Sequence, residues 1–324
     1  MMQTRRLGSL WPVSALTLGG GGLGQLWGPT TREECVATVR AAVDRGITLL
    51  DMAPLYGNGE AERVVGLAFD GRLPAGVRVT TKCYLGSPPA EQIETAVRAS
   101  LAQSLTNMRL ARVDLFFLHS AIARDGYTFA VSPALRPPTA WTAYVALRRV
   151  LEKLVGEGLI GAWGITGIGI PAEIARALGE APKPQAVQCV SNLLDSAGGL
   201  RRFTEPAVPR HLIRAAGANG VGVMGIRAVQ AGALTDAFDR ALPDDHPDMA
   251  DYRRAAPFRA LARELGEKPA VLAHRYALTM AGIDTVVLGI KNRAELGECV
   301  AAEAAGPLAP DVVARIDRAV GRSD

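Results

Sequence analysis

Four side chains suited to moving a proton stand at or just beyond the ends of three apolar runs. Ile47, Leu49 and Leu50 lead into Asp51, and Tyr56 follows on a stretch broken by Pro54, Gly57 and Gly59. A second run from Val77 ends on Lys82, and a third from Val113 ends on His119. Each run reads as a strand buried on both faces. In parallel α/β architectures the carboxyl ends of such strands carry the chemistry. A free phenol, with a pKa near ~10, is poorly matched to neutral pH. An ammonium beside it would favour the phenolate and lower that value. Lysine is almost never fully buried without a partner, so Lys82 is expected to pair with Asp51, which would hold it charged. His119 could donate a hydrogen bond to a substrate oxygen. Taken singly these are a capping Asp, a half-buried loop Tyr and a core His. Taken together, at different strand ends, they predict a general acid–base site.

The elements around them alternate. Strands are expected over 13–18, 47–51, 77–82, 113–119, 158–166, 186–191, 221–226 and 285–288. Helices are expected over 31–45, 60–68, 88–105, 140–157, 171–178, 205–217, 252–266, 269–280, 294–302 and 310–320. The first is typical: Thr31 caps it, Glu33 and Glu34 suit its first turn, Gly46 stops it, and Val36, Val39, Ala42 and Val43 form a stripe. Residues 1–12 fit a small hairpin or cap. This order predicts an α/β fold, one (β/α)8 TIM barrel with helices outside, occupying 1–324 as a single domain. Two long irregular stretches interrupt it, at 120–139 and 227–249. The first leaves the His119 strand end and is expected to be a substrate-pocket flap bearing Tyr127 and Phe129. Glycines 19–22 and 24 lack the GxGxxG spacing of a Rossmann fingerprint. They predict a loop that lets backbone approach a flat ligand.

The spelling D-M-A-P-L-Y-G-x-G-x-x-E from Asp51 to Glu62, with Lys82 and His119, resembles the aldo-keto reductase superfamily. The resemblance covers nearly the whole chain and implies that Asp51, Tyr56, Lys82 and His119 are the catalytic tetrad. It further implies a nicotinamide dinucleotide, NAD or NADP, bound extended across the carboxyl face of the barrel. No side chain can supply a hydride, so the chemistry needs such a cofactor. Gly22, Leu23, Asp51, Thr166, Gln188, Ile226 and Arg227 are the implied contacts along its nicotinamide and pyrophosphate. Gln188 matches the glutamine placed against the carboxamide. Thr166-Gly167 stands where many relatives have Ser-Asn, which keeps the hydroxyl and loses the amide. Ile226 stands where many carry an aromatic ring. Lys291, Asn292 and Arg293 could meet a 2′-phosphate, helped by a helix N-terminus, and Glu298 matches an acid that contacts adenine. Glu295 occupies a position where NADP-preferring relatives often carry Arg, so the balance leans to NAD. Trp27, Tyr56, His119, Tyr127 and Phe129 would line the substrate pocket. Within the superfamily, A-P-L-Y-G-x-G-x-x-E is similar to bacterial members of the aldose 1-dehydrogenase or pyridoxal dehydrogenase type.

Composition narrows the alternatives. With 48% hydrophobic and 21% charged residues the chain is ordinary globular protein, and a net charge of +4 without a long basic run argues against a nucleic-acid surface. Four cysteines, none in a CxxC pair, give neither a zinc signature nor a disulfide framework. No run is long enough to span a bilayer, so a soluble cytoplasmic protein without a membrane partner is expected. The leading reading is an oxidoreductase acting on a small carbonyl or alcohol. Its rivals are a cofactor-sensing regulatory subunit of the same fold and a metal-dependent barrel hydrolase. The lack of HxH pairs or clustered carboxylates makes the hydrolase remote, and no metal is expected.

Overall fold

Eight parallel strands close on one another in chain order. The computed structural model describes residues 2–127, 136–236, 238 and 241–322. Its barrel strands are β1 (Leu16–Gly19), β2 (Leu49–Asp51), β3 (Arg78–Cys83), β4 (Val113–Leu118), β5 (Ile160–Thr166), β6 (Ala186–Val190), β7 (Gly222–Ile226) and β8 (Thr285–Leu288). β8 pairs with β1 to close the ring. Helices connect the strands outside, and their apolar stripes pack on the barrel in one large core that includes Val39, Val97, Leu151 and Leu272. The α/β barrel expected from the alternation is the observed fold.

The barrel interior explains how the chemistry is placed. Leu49, Leu115, Phe117, Ala162, Ala186 and Met224 are buried together, with Leu7 and Val13 of an amino-terminal hairpin closing the amino end beneath them. Side chains two apart on a strand share a face. Asp51, His119, Gln188 and Ile226 therefore follow Leu49, Phe117, Ala186 and Met224 onto the inner face, one layer nearer the carboxyl rim. His119 lies just past β4, yet its N–H still donates to the Cys83 carbonyl at 2.8 Å, which keeps it in strand register. Gly164 makes room for this packing. A Cβ there would lie 2.4 Å from Phe117 Cε1 and 2.6 Å from the Ala186 carbonyl oxygen.

Four expectations need correction. The run at 13–18 divides at Ala15: Pro12–Ser14 pairs antiparallel with Thr4–Arg6, and only Leu16–Gly19 enters the barrel. The glycine stretch is not a loop, because Gly20–Leu23 coils into one buried helical turn. The helix expected over 205–217 starts at Pro209, where proline's fixed φ suits a first turn. The single helix over 252–266 is two, Pro247–Arg254 and Ala256–Glu264, since Pro257 has no N–H to continue the first ladder. Elsewhere the match is close. Thr31 caps Arg32–Asp44 by accepting from the Glu34 N–H at 3.2 Å. All four cysteines are buried free thiols. Among the described residues no helix is long and apolar enough to cross a membrane.

Candidate active site

Lys82 stands at the centre of the cluster. Its side chain is fully buried, and Nζ donates to Asp51 Oδ2 at 2.9 Å, to the Met52 carbonyl at 2.8 Å and to Tyr56 Oη at 3.3 Å. Lys82 lies within β3, one residue before its last, rather than finishing it. The second carboxylate oxygen, Asp51 Oδ1, accepts from Thr80 Oγ1 at 2.7 Å and from Gln188 Nε2 at 2.8 Å. Both oxygens of this buried acid are thus satisfied, as a charge removed from water requires. Thr80 was missed at the sequence level. Its signal was its spacing, two residues before Lys82 and so on the same inner face. Tyr56 sits in a turn closed by its N–H on the Ala53 carbonyl at 3.1 Å. Gly57, at φ +62°, follows it, and Gly24 packs so closely that a Cβ would lie 2.4 Å from the Tyr56 carbonyl carbon. The glycines therefore serve close approach of two backbone segments of the protein itself.

The electrostatics differ from the sequence expectation in one respect. Burial pulls the Lys82 ammonium down, but Asp51 and Tyr56 outweigh it and hold its pKa above the ordinary value. For Tyr56, burial pushes the phenol up, Lys82 pulls it back only partly, and Asp51 pushes it further up. The net direction is upward, so Lys82 moderates the Tyr56 pKa without bringing it below that of a free phenol. Burial, reinforced by Lys82 and Arg136, drives the His119 imidazole down to about 3. His119 is therefore neutral at physiological pH. Its ring meets the Tyr56 ring edge-on at 5.8 Å between centroids. Its buried Nδ1 has no hydrogen-bond partner among the described residues. Cys83, beside Lys82, is raised by burial, consistent with a spectator thiol.

A cavity of about 800 Å³ opens over this cluster and continues to the start of the helix Arg293–Ala304. Asp51, Tyr56, His119, Trp27, Thr166 and Gln188 line it at one end. Ile226 and Arg227 stand further along, and Lys291, Glu295 and Glu298 at the other end. Gly22 and Leu23 do not form the wall: Gly22 is pressed against the Ile290 carbonyl and Leu23 is fully buried, while Gly19, Gly20 and Gly21 face the space. Thr166 Oγ1 donates to the Leu118 carbonyl at 3.1 Å. Arg227 donates to Asp248 Oδ1 at 2.6 Å and to Gln230 Oε1 at 2.9 Å. Asn292 does not line the cavity but caps its helix, accepting from the Glu295 N–H at 2.9 Å. Arg293 is turned outward onto Glu34. Lys291 Nζ donates to Glu295 Oε1 at 2.5 Å, and Glu298 accepts from Lys268 at 2.6 Å. Tyr127 is off the wall as well, beside Arg124 and Glu205, and Phe129 lies outside the described residues. Tyr84, Arg136, Arg202 and His274 line the cavity without having been singled out from sequence. They come from irregular segments and an outer helix, where no periodicity marks the inward side. In volume and donor set the cavity fits an extended dinucleotide: an amide and a hydroxyl by the acid–base cluster, an aliphatic side chain at Ile226, and charged groups by a helix start.

A parallel barrel with an acid, a phenol, an ammonium and an imidazole gathered at its carboxyl rim has the groups needed to exchange a proton with a carbonyl or alcohol. The sequence profile of the aldo/keto reductase family matches residues 15–320, and the chain belongs to that family. It is 27% identical to L-galactose dehydrogenase of Arabidopsis thaliana over 305 residues, covering 90% of this chain and 84% of that protein. It is 25% identical to D-threo-aldose 1-dehydrogenase of a Pseudomonas species over 316 residues, covering 88% of this chain and 87% of that protein. In structure it is similar to an aldo-keto reductase from Bacillus halodurans in its holo form, with a TM-score of 0.73 at 22% identity, covering 100% of this chain and 99% of that one. It is also similar to an aldo/keto reductase from Klebsiella pneumoniae in complex with NADP and acetate, with a TM-score of 0.70 at 22% identity over 100% and 97% of the two chains.

Proposed function

We propose that the protein interconverts the C1 lactol of an aldose and its lactone, with Tyr56 carrying the proton and NAD favoured over NADP. The observation that carries the proton assignment is the Lys82 contact, which ties the Tyr56 hydroxyl to a fully buried ammonium at the base of the cavity. The names of the two long-matching relatives, both aldose dehydrogenases, supply the substrate class.

When bound, the dinucleotide supplies the hydride acceptor or donor. Thr166 and Gln188 would hold its carboxamide end, Ile226 and Arg227 its middle, and Lys291 and Glu298 its adenosine end. In oxidation the substrate hydroxyl gives its proton to the Tyr56 oxygen, and in reduction the Tyr56 phenol returns it. Lys82 stabilises the phenolate in either direction, and Asp51 keeps Lys82 charged. His119, being neutral, donates one hydrogen bond to the substrate oxygen and leaves the proton transfer to Tyr56. Because the Tyr56 pKa lies above that of a free phenol, the base form grows with pH and favours oxidation in alkaline medium. The lean to NAD rests on charge already spent: Lys291 is engaged by Glu295 and Arg293 by Glu34, so neither is held ready for a 2′-phosphate. A purely regulatory role would leave the costly burial of Lys82 and Asp51 without a task.

The assay is formation of reduced nicotinamide from NAD or NADP with a panel of free aldoses. Turnover of at least one aldose, faster with NAD, is expected. Turnover of simple alcohols alone would overturn the substrate class, and no turnover of either would overturn the function.

A further inference from the structure

Charge is distributed unevenly along the cavity. Its three acids each have a basic partner: Asp51 with Lys82, Glu295 with Lys291, and Glu298 with Lys268. Arg227 is matched by Asp248. Arg136 and Arg202 differ, because both line the cavity and no carboxylate pairs with either among the described residues. They come from separate segments, one before the helix Trp141–Gly156 and one following the turn Gly198–Leu200. The Arg136 guanidinium stands 5.2 Å from the Tyr84 ring centroid, and the Tyr84 hydroxyl donates to the Arg136 main-chain carbonyl at 2.8 Å. Burial pushes the Tyr84 phenol up while Arg202 and Arg136 pull it back, and Arg136 is also among the charges holding His119 neutral. Arg136 therefore acts on both Tyr84 and His119, and Arg202 on Tyr84, all of them lining the one cavity. Leu55, Ile168 and Leu200 add apolar surface to the lining.

We propose that the substrate carries an anionic group, a carboxylate or a phosphate, bound by Arg136 and Arg202 while its carbonyl or hydroxyl carbon faces Tyr56 and His119. The inference rests on the cavity being the site of carbonyl–alcohol exchange and narrows it to acidic sugars, sugar phosphates or similar anionic aldehydes. Two guanidiniums with planar N–H forks are the donor set that recognises either anion in a bidentate manner. An anion there also offsets two cations that now face the same space.

The test uses pairs of aldehydes that differ mainly in the anion: succinic semialdehyde against butanal, and glycolaldehyde phosphate against glycolaldehyde, each with NADH and NADPH. The anionic member of at least one pair should show a kcat/KM about tenfold to a hundredfold higher, as charge-assisted hydrogen bonds provide. The pair that responds distinguishes carboxylate from phosphate. Arg136→Met and Arg202→Met should each shrink that ratio through KM rather than kcat. The Tyr84 hydrogen bond, being to main chain, survives the first change. Equal kcat/KM within both pairs, or a ratio untouched by both substitutions, would overturn the proposal. If no aldehyde is reduced, the proposed function is judged by the aldose assay above, and calorimetry still decides the anion site. Succinate or glycerol phosphate should bind the wild-type protein and bind the Arg136→Met/Arg202→Met variant about tenfold or more weakly. No binding, or equal binding, would contradict it.

Discussion

Lys82 concentrates the cost of the site, and its proposed chemistry, in one nitrogen. Taking it out of water is unfavourable by several kcal/mol, and it stays charged because Asp51, Met52 and Tyr56 surround it. The four central residues were legible in the sequence because strand ends announce themselves by composition. The contacts of Asp51 with Thr80 and Gln188 were not, since they depend on register between β2, β3 and β6. Glu295 shows the opposite limit. Its position was read from sequence, but its role is set by Lys291, which it binds through both the ammonium and the main-chain N–H. Replacing Glu295 with Arg removes its hold on Lys291 and adds a second phosphate donor. The ratio of dissociation constants for NADPH and NADH, measured by fluorescence titration, should then shift toward NADPH by about 1–3 kcal/mol. An unchanged ratio would remove the charge argument for NAD.

At the scale of elements, the period-2 alternation of the strands carries most of the information. It puts a barrel-filling residue and a site residue on one face, as with Leu49 and Asp51 or Phe117 and His119. Elements whose form depends on distant partners were harder to read. The turn Gly20–Leu23 coils where glycine propensity opposes a helix, because it is buried against the Ile290 segment and Tyr56. Tyr127 was assigned to the pocket on sequence position, yet Arg124 and Glu205 hold it elsewhere. Gly164 gives an element-scale test. Gly164→Ala sets a methyl against Phe117 and the β6 main chain and should destabilise the fold by ~1–3 kcal/mol, read from urea unfolding. A neutral effect would mean that β5 can shift to accommodate it.

For the molecule as a whole, two buried imidazoles link the fold to pH. His119 falls to about 3, and His274 is also lowered, chiefly by burial. A histidine with a depressed folded pKa contributes stability that is full above its unfolded value, near ~6.5, and is lost as pH falls toward the folded value. His119 alone should cost ~2 kcal/mol between about pH 7 and about pH 5. In His119→Gln the decline in unfolding free energy over that interval should be shallower by that amount, with His274 among the groups that still contribute. Identical slopes would show that His119 titrates normally. The most direct measurement on the central claim concerns one oxygen. Tyr56→Phe removes the proposed proton carrier while leaving Lys82 with Asp51 and Met52, and the proposed cofactor contacts unaltered. Cofactor dissociation constants should stay within about threefold, and the rate of hydride transfer under single-turnover conditions should fall by about 10²-fold or more. Hydride transfer at the wild-type rate in Tyr56→Phe, with cofactor bound normally, would contradict the account.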